Sequence, residues 1–349
     1  DLAVCALLHD NALTQYLHEE FRGDSSVAEC LPELPHLGAH CVMGEENISA
    51  LPFHTNVENI ILYHHENADG SGSFGKTWQE IPLGARIIRL CDLLDAFCRA
   101  DVFTPDVWER ANAFLTRVRG RIVDEECADA FLRAFSEQHF CSLGGRGLEE
   151  RLWGKVPRTK QQLDFAQVKA LAKFFAKIVD YKSPFTSTHS LGVADDAECL
   201  ARFMGFDEDI AQKMYLAGAL HDIGKVAIGN EILEKPGRLT DSEYAEMKHH
   251  AAYTYYVLSE VQDFAELRDW AAFHHEHLDG TGYPFGKNES ELNTQERIMA
   301  CVDIYQALTE NRPYKAGMSH EKACSILLDM AEKGWLDRAI VEQVNACFA

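Results

Sequence analysis

The second half of the chain contains histidines and aspartates of the kinds that hold transition-metal ions in proteins. The candidate ligands are His189, His221, Asp222, His250, His274, His275 and Asp303. Neutral imidazole nitrogens and carboxylate oxygens suit Fe, Mn, Zn or Ni, whereas a structural zinc site typically takes cysteine. A single histidine is more often a hydrogen-bonded core or surface residue than a ligand. No one of these residues alone therefore establishes a metal site.

The same residue types recur in the first half of the chain at nearly constant spacing. Separations of 210 to 212 positions relate His9-Asp10 to His221-Asp222, His40 to His250, His64-His65 to His274-His275, and Asp92 to Asp303. Self-similarity at a fixed period indicates a duplicated domain. A chance scatter of sixteen histidines predicts no such shared pattern. The repeat therefore favours a common metal-binding ancestry for both halves.

The stretch between the two copies has the composition of a linker. Residues 142–148 are rich in glycine, and a polar run continues through Thr159 and Lys160. We therefore place a boundary near residue 155, with one domain at 1–155 and a second at 156–349. A chain of 349 residues is long enough for each domain to have its own core.

Helix signals dominate the elements that must position these side chains. Residues 164–179 place their apolar side chains on one face at helical spacing. Thr240 opens a capping box, and the helix that follows is expected to run through His250. Two later helices are expected to begin at caps, Thr294 and Ser319. In this interpretation His221-Asp222 and His274-His275 lie on helices as well. The prediction is an all-α protein with two tandem helical domains.

The composition limits the classes of binding partner and indicates the cellular compartment. The net charge of −22 argues against a polymeric nucleic acid as partner, because phosphate contacts need clustered Lys and Arg. A small phosphate ester is not excluded, since a metal ion supplies positive charge locally. No window of the sequence is apolar enough for a membrane span. The eleven cysteines form no C-x-x-C pair, which predicts reduced thiols in the cytoplasm.

Four motifs of the second half resemble those of the HD-GYP family of bacterial phosphodiesterases. They are His221-Asp222-Ile223-Gly224-Lys225, the run 232–240, His274-His275-Glu276 with 279–284, and Arg312-Pro313-Tyr314-Lys315. The resemblance covers roughly residues 164–330. It implies an all-helical domain that opens a cyclic dinucleotide to the linear 5′-phosphorylated product. The tandem arrangement resembles HD-GYP hydrolases of 3′,3′-cyclic GMP-AMP, and cyclic di-GMP is the other expected substrate.

The resemblance also assigns ligands. It implies a first ion on His189, His221, Asp222 and Asp303, and a second on His250, His274 and His275, with Asp222 as the bridge. Iron or manganese is usual in the family, while Ni, Zn and Mg accept similar ligands. Members with a third metal carry a glutamate where this chain has Phe185. A phenyl ring cannot coordinate a cation, so we expect two divalent ions.

The chemistry expected of such a centre is hydrolysis of a phosphodiester. Two ions can lower the pKa of a water molecule and hold the phosphate oxygens for in-line attack. Asp222 and Lys225 are the expected catalytic residues, and Lys225, Arg312, Lys315 and Tyr283 are expected to contact substrate. Glu276 is expected to orient a ligand imidazole from behind.

The first copy keeps the ligand types but has lost the residues that would handle substrate. Leu13 stands where Lys225 would be, Gly72-Ser73-Phe74 replaces the Gly-Tyr-Pro triplet, and no Arg-Pro-Tyr-Lys counterpart follows. We predict a degenerate, non-catalytic HD-GYP-like domain that serves regulation, packing or dimerisation, so a homodimer is among the expected assemblies. Whether it holds a metal is open.

Two other functions are compatible with parts of this pattern. A nucleotide phosphohydrolase of the wider HD superfamily needs only the ligands of one metal, so the His274-His275 pair disfavours it. A non-catalytic sensor of cyclic dinucleotides would be expected to lose ligands, which the second copy has not. No motif here encodes the choice of bases in the substrate.

Overall fold

The computed structural model describes residues 1–21, 38–98, 103–144, 147–157, 160–182, 188–235, 237–311 and 316–349. Most of the described residues lie in helices. Within the described ranges, pairing between extended segments is limited to isolated bridges. The predicted all-α class is confirmed. In these same ranges, no helix combines the length and the apolar character needed to cross a lipid bilayer.

The chain divides into two compact units. Unit 1 comprises Asp1–Leu163 and unit 2 comprises Asp164–Ala349. This division falls shortly after the boundary that we expected near residue 155.

Unit 1 has a hydrophobic core, which lies mainly between its fourth, fifth and sixth helices. The helices of this unit are α1 (Leu2–Leu7), α2 (Leu13–Phe21), α3 (Gly38–Ile48), α4 (Leu83–Cys98), α5 (Pro105–Val118), α6 (Glu125–Ala134), α7 (Glu137–Cys141) and α8 (Leu148–Lys155). Helix α5 begins with Pro105 in its first turn, and the Thr104 side chain accepts a hydrogen bond from Val107 N. Its apolar face, which includes Ala111 and Leu115, is fully buried.

Unit 2 contains the larger hydrophobic core. Its helices are α9 (Phe165–Lys182), α10 (His189–Phe203), α11 (Glu208–Leu220), α12 (Asn230–Leu233), α13 (Asp241–Met247), α14 (His249–Ser259), α15 (Ala265–Ala272), α16 (Thr294–Thr309), α17 (His320–Glu332) and α18 (Arg338–Cys347). Helix α11 is buried from Met214 to Leu220. A helix that is apolar on all sides belongs in the middle of a core.

Helices α10 and α11 approach each other closely because glycine stands at their crossing. A Cβ atom at Gly218 would lie 2.7 Å from Ala194 Cα, which is a steric clash. The close crossing brings His189 at the start of α10 beside His221 at the end of α11, with ring centroids 5.4 Å apart. Packing of two apolar helices thus places two distant histidines together.

The capping predictions were right at two positions and wrong at one. Thr240 forms the expected capping box with Glu243, and Ser319 caps α17. The cap of α16 is Asn293, which forms its own capping box with Glu296, and Thr294 is the first helical residue. Asn and Thr are both good caps, so sequence alone could not separate neighbours. The helix opened by Thr240 also ends at Met247, and His250 lies on the next helix.

We had expected His221-Asp222 and His274-His275 to lie on helices, and this is wrong, because both pairs lie in turns just after the ends of α11 and α15. Helix α11 ends at Leu220, and a 3₁₀ helix follows at Ile223–Ala227. The turn between them is tied to α14 because Thr254 Oγ1 donates to His221 O at 2.8 Å and accepts from Gly224 N at 3.0 Å. The position of Asp222 therefore depends on this contact with α14.

Gly224→Ala should destabilise unit 2, because a Cβ at this position would lie 2.0 Å from His250 O and 2.5 Å from Thr254 N. We expect the free energy of unfolding to fall by about 1–3 kcal/mol or more. Thermal and denaturant unfolding of the full chain would measure this. Gly154→Ala is the control, since a Cβ there would meet nothing within 4 Å. Equal stability of both variants and the parent would contradict the packing argument.

Candidate metal centre

Three imidazoles of unit 2 are held in the same way by backbone carbonyls. Nδ1 lies 2.7 Å from Gly218 O in His221, 2.7 Å from Met247 O in His250, and 2.6 Å from Ala271 O in His274. A carbonyl oxygen only accepts hydrogen bonds, so each Nδ1 must carry the proton and donate. The neutral form of each ring then presents the lone pair of Nε2, which is the arrangement typical of metal-ligating histidines.

The Asp222 carboxylate lies between two of these rings. Its Oδ2 is 3.3 Å from His221 Nε2, and its Oδ1 is 3.4 Å from His250 Nε2. His274 Nε2 is a further 3.5 Å from His250 Nε2. All four side chains are buried. Because the two oxygens of Asp222 face different imidazoles, this carboxylate has the orientation that a bridging ligand needs.

A second carboxylate, Asp303 on α16, closes the other side of the centre. Its Oδ1 is 3.1 Å from His189 Nε2 and 3.7 Å from His221 Nε2. Its Oδ2 is 3.9 Å from His275 Nδ1. Asp303 therefore connects the helix α10 side of the pocket with the His274-His275 turn.

The structure brings all seven predicted ligands together. Two groups of donor atoms each lie within 4.8 Å of one another. One group is His189, His221 and Asp303, and the other is His250, His274 and His275. Asp222 lies between the two sets, and forms a third group with His221 and His274. A set made only of imidazole nitrogens and carboxylate oxygens fits divalent transition metals. The residues present therefore fit the expected ions, while the role of each as a ligand stays a prediction.

Mutual electrostatics set the protonation of the cluster. Burial disfavours the charged imidazolium of His221, but the adjacent Asp222 carboxylate outweighs this and raises its pKa to about 9. Burial also disfavours the Asp222 carboxylate, yet Lys225 and His221 hold its pKa well below the usual range. Burial lowers the pKa of His275 to about 3. At neutral pH the metal-free centre therefore holds a proton on His221, whereas His275 is neutral.

The predicted substrate residues that the structure describes lie beside the cluster. Lys225 Nζ donates to Asp222 Oδ2. The ring of Tyr283 lies 4.7 Å from that of His275 and 6.3 Å from that of His250, measured between centroids. Arg312 and Lys315 lie outside the described residues, as does Phe185.

The turn after the histidine pair is held by a buried glutamate. Glu276 accepts hydrogen bonds from Phe285 N at 2.7 Å and from Lys287 N at 2.9 Å. We had expected Glu276 to orient a ligand imidazole, and this is wrong because both of its oxygens bind the backbone of the following loop. Unit 1 repeats the arrangement, with Glu66 accepting from the backbone nitrogens of Phe74 and Lys76 at 2.8 and 2.7 Å.

Sequence reasoning missed two residues close to the cluster. Asp180 on α9 is buried and accepts hydrogen bonds from Ser190 N at 3.1 Å and Ser190 Oγ at 2.6 Å, which fixes the first turn of α10 next to His189. The sequence did contain a signal for Asp180, namely an acidic residue close to the apolar face of the predicted helix. Lys248 lies with Nζ 5.7 Å from the centroid of the Tyr283 ring. Nothing in its local sequence marked it.

Comparison with known proteins gives one family and several relatives. The HD domain family matches residues 30–124 and 173–340 of the chain. The 3′3′-cGAMP-specific phosphodiesterase 1 of Vibrio cholerae is 30% identical over 313 residues, which are 87% of this chain and 73% of that protein. The 3′3′-cGAMP-specific phosphodiesterase 3 of the same organism is 34% identical over 293 residues. That alignment covers 82% of this chain but 62% of the relative, which is less than two thirds.

One solved structure resembles the whole chain. It is described as a cyclic GMP-AMP specific phosphodiesterase of V. cholerae, and it matches with a TM-score of 0.62 at 25% sequence identity. The match covers 100% of this chain and 86% of that chain. The helical architecture described above is therefore shared with a solved phosphodiesterase.

Metal affinity should rise with pH, because an ion that binds His221 must displace its proton. Below its raised pKa of about 9, the apparent affinity should increase by about tenfold per pH unit, and then level off. Competition titrations of the metal-free protein with Mn²⁺ against a chelator of known pH dependence would measure this. An affinity independent of pH from about 7 to about 9 would contradict a protonated His221.

Proposed function

The chain belongs to the HD domain family, and we propose that unit 2 hydrolyses a cyclic dinucleotide to the linear 5′-phosphorylated dinucleotide. The observation that carries the proposal is the convergence of five imidazoles on the carboxylates of Asp222 and Asp303. A cyclic dinucleotide carries two phosphodiesters and no terminal phosphate, so ring opening consumes water and releases no inorganic phosphate.

The proposed cofactor is a pair of divalent ions, iron or manganese first, with nickel, zinc and magnesium as further candidates. His189, His221, Asp222 and Asp303 would hold one ion, and His250, His274 and His275 the other, with Asp222 shared. When bound, such ions supply Lewis-acid stabilisation of phosphate charge and lower the pKa of water. The imidazoles of His274 and His275 have pKa values lowered by burial, so they need lose no proton to coordinate.

Access to the centre is one-sided. The side chain of His275 is 29% exposed, whereas that of His221 is 1% exposed. A phosphodiester would therefore approach from the side of His275 and Tyr283, with the His221 side of the centre closed to water. Lys225 is partly exposed and would turn its ammonium group from Asp222 towards the charge that develops on the phosphate.

Aromatic and basic side chains around this opening suit a substrate with two bases and two phosphates. The Tyr283 ring lies beside that of His275 at an interplanar angle of 38°, and the Lys248 ammonium lies over both Tyr283 and Tyr244. Base stacking on an aromatic ring is worth about 1–3 kcal/mol. Arg312 and Lys315 complete the proposed phosphate contacts. We assign stacking to Tyr283, and electrostatic contact with phosphate to Lys248.

The preferred substrate in this proposal is 3′,3′-cyclic GMP-AMP, with cyclic di-GMP as the alternative. Support comes from the two V. cholerae relatives, which are named for 3′3′-cGAMP. A cytoplasmic location and homodimer formation also stay predictions. The cysteines among the described residues are free thiols, a state that a reducing compartment maintains.

Incubation of the metal-loaded protein with each cyclic dinucleotide separately should yield the linear 5′-phosphorylated product, with 3′,3′-cyclic GMP-AMP consumed fastest. Liquid chromatography with mass detection would follow substrate and product. His274→Ala should retain the fold and lose turnover, because it removes a donor common to two of the groups around Asp222. The matched control is His249→Ala, an exposed neighbour of His250 that belongs to none of these groups.

Two outcomes would contradict the proposal and identify a different function. Release of inorganic phosphate from nucleotides, without ring opening, would identify a nucleotide phosphohydrolase. Calorimetric binding of a cyclic dinucleotide without turnover, at full metal loading, would identify a sensor.

Lys225→Ala should lower kcat by about 100-fold while leaving metal content unchanged, because the lysine would act on substrate charge and not as a ligand. Steady-state kinetics and metal counting on the same samples would measure both quantities. Lys213→Ala is the control, since Lys213 forms a surface ion pair with Asp209 on the same unit. Parallel loss of metal and activity would instead identify Lys225 as the counter-charge that holds Asp222 in place.

A further inference from the structure

Unit 1 contains a second convergent cluster around a carboxylate. Asp10 Oδ1 lies 3.4 Å from His40 Nε2 and 3.4 Å from His64 Nε2, and Asp10 Oδ2 lies 3.3 Å from His9 Nε2. The rings of His40 and His64 are completely buried. The cluster therefore keeps the arrangement of unit 2 although unit 1 lacks a counterpart of Lys225.

The contact between His64 and Asp10 brings two acceptors face to face. His64 Nδ1 lies 2.5 Å from Ile61 O and must donate to it, so Nε2 of the neutral ring carries a lone pair. That nitrogen and Asp10 Oδ1 are both buried without a hydrogen-bond partner. A separation of 3.4 Å is longer than an N–H···O hydrogen bond of about 2.7–3.2 Å. A cation between the two atoms satisfies both, which a proton at this distance does not.

Three of the donor–donor distances agree with those around a tetrahedral ion. Nitrogen and oxygen ligands at about 2.1 Å from zinc lie about 3.4 Å apart at the tetrahedral angle, and a sulfur ligand at about 2.3 Å lies about 3.6 Å from a nitrogen ligand. The two distances from Asp10 Oδ1 are 3.4 Å. Cys41 Sγ lies 3.6 Å from His40 Nε2. Cys41 is buried, and its sulfur forms a group with the donors of His40, His64 and His65, whereas unit 2 has Ala251 at the matching position.

A guanidinium group takes the other side of this cluster. Arg89 Nη1 donates to His65 Nδ1 at 3.1 Å and lies 3.9 Å from Asp92 Oδ2. The matching His–Asp pairs are nearly equally spaced, with His65 Nδ1 3.8 Å from Asp92 Oδ2 in unit 1 and His275 Nδ1 3.9 Å from Asp303 Oδ2 in unit 2, but unit 2 has Ala300 where unit 1 has Arg89. Arg89 thus supplies a fixed positive charge to the donors that a second ion would need.

We propose that unit 1 binds one zinc ion through Asp10, His40, Cys41 and His64, and that Arg89 replaces a second ion. Two imidazoles, a thiolate and a carboxylate form a closed set of four ligands, which is the coordination of a structural zinc site. The two anionic ligands balance the charge of the ion. The site is a stabilising element of unit 1 and takes no part in the hydrolysis.

The test counts ions in the full chain after the centre of unit 2 has been disabled. The background variant is Asp222→Ala with His274→Ala and Asp303→Ala, which removes a donor from every candidate group of unit 2, and it is loaded with zinc alone and then with cobalt alone. Mass-spectrometric metal analysis should find about one ion per chain, since a closed four-ligand site holds a single ion. Cobalt should show a thiolate charge-transfer band in the near ultraviolet. Adding Cys41→Ser should abolish that band, and adding His64→Ala should remove the ion.

Three results of the ion count would overturn the proposal. They are no retained ion in the background variant, an ion that survives His64→Ala, and two ions, which would contradict the role of Arg89. Circular dichroism of each variant separates loss of the site from loss of the fold. Cys41→Ser serves where His64→Ala fails to fold, because it keeps a side chain of similar size. Persistence of the cobalt–thiolate band in Cys41→Ser would assign the sulfur ligand elsewhere.

Discussion

Two buried carboxylates, Asp222 and Asp303, are the constraint on which the rest of unit 2 depends. Burying charge is costly unless it is paired and hydrogen-bonded, and loss of one partner strands the other. In this structure imidazoles lie 3.1–3.9 Å from the carboxylates. Lys225 forms an additional ion pair with Asp222. The helices must therefore deliver several rings to one point, and this requirement explains the tight packing around it.

The helix ends solve this problem. The last four carbonyls of a helix have no partner within it, and Gly218, Met247 and Ala271 all supply such carbonyls, from α11, α13 and α15. Each accepts the Nδ1 proton of a histidine three residues later. The same interaction satisfies a carbonyl at the helix end and turns Nε2 inward. Helix termination and ligand orientation are thus one event in the chain.

The sequence predicted the helical class and the seven converging side chains, because the histidines and aspartates recur at matched spacing. It could not locate the end of α11, since apolar periodicity continues through Leu220 and gives no sign that His221 begins a turn. The partner of Glu276 was equally hidden, because a carboxylate that binds backbone amides leaves no trace in side-chain pattern. Asp180 acts through a bond to the next helix of the chain, and Thr254 acts through a bond to a turn 33 residues earlier; no local motif marks either contact.

The glutamate that holds the loop after the histidine pair is present in both units, although only unit 2 keeps the Tyr283-Pro284 pair that the loop displays. Glu66 and Glu276 make equivalent bonds to two backbone amides. The bonds that hold the loop and the proposed contact with substrate therefore depend on different side chains of one short segment. After gene duplication, drift can erase the reaction from a copy while the architecture persists, and such a copy is raw material for a new binding specificity.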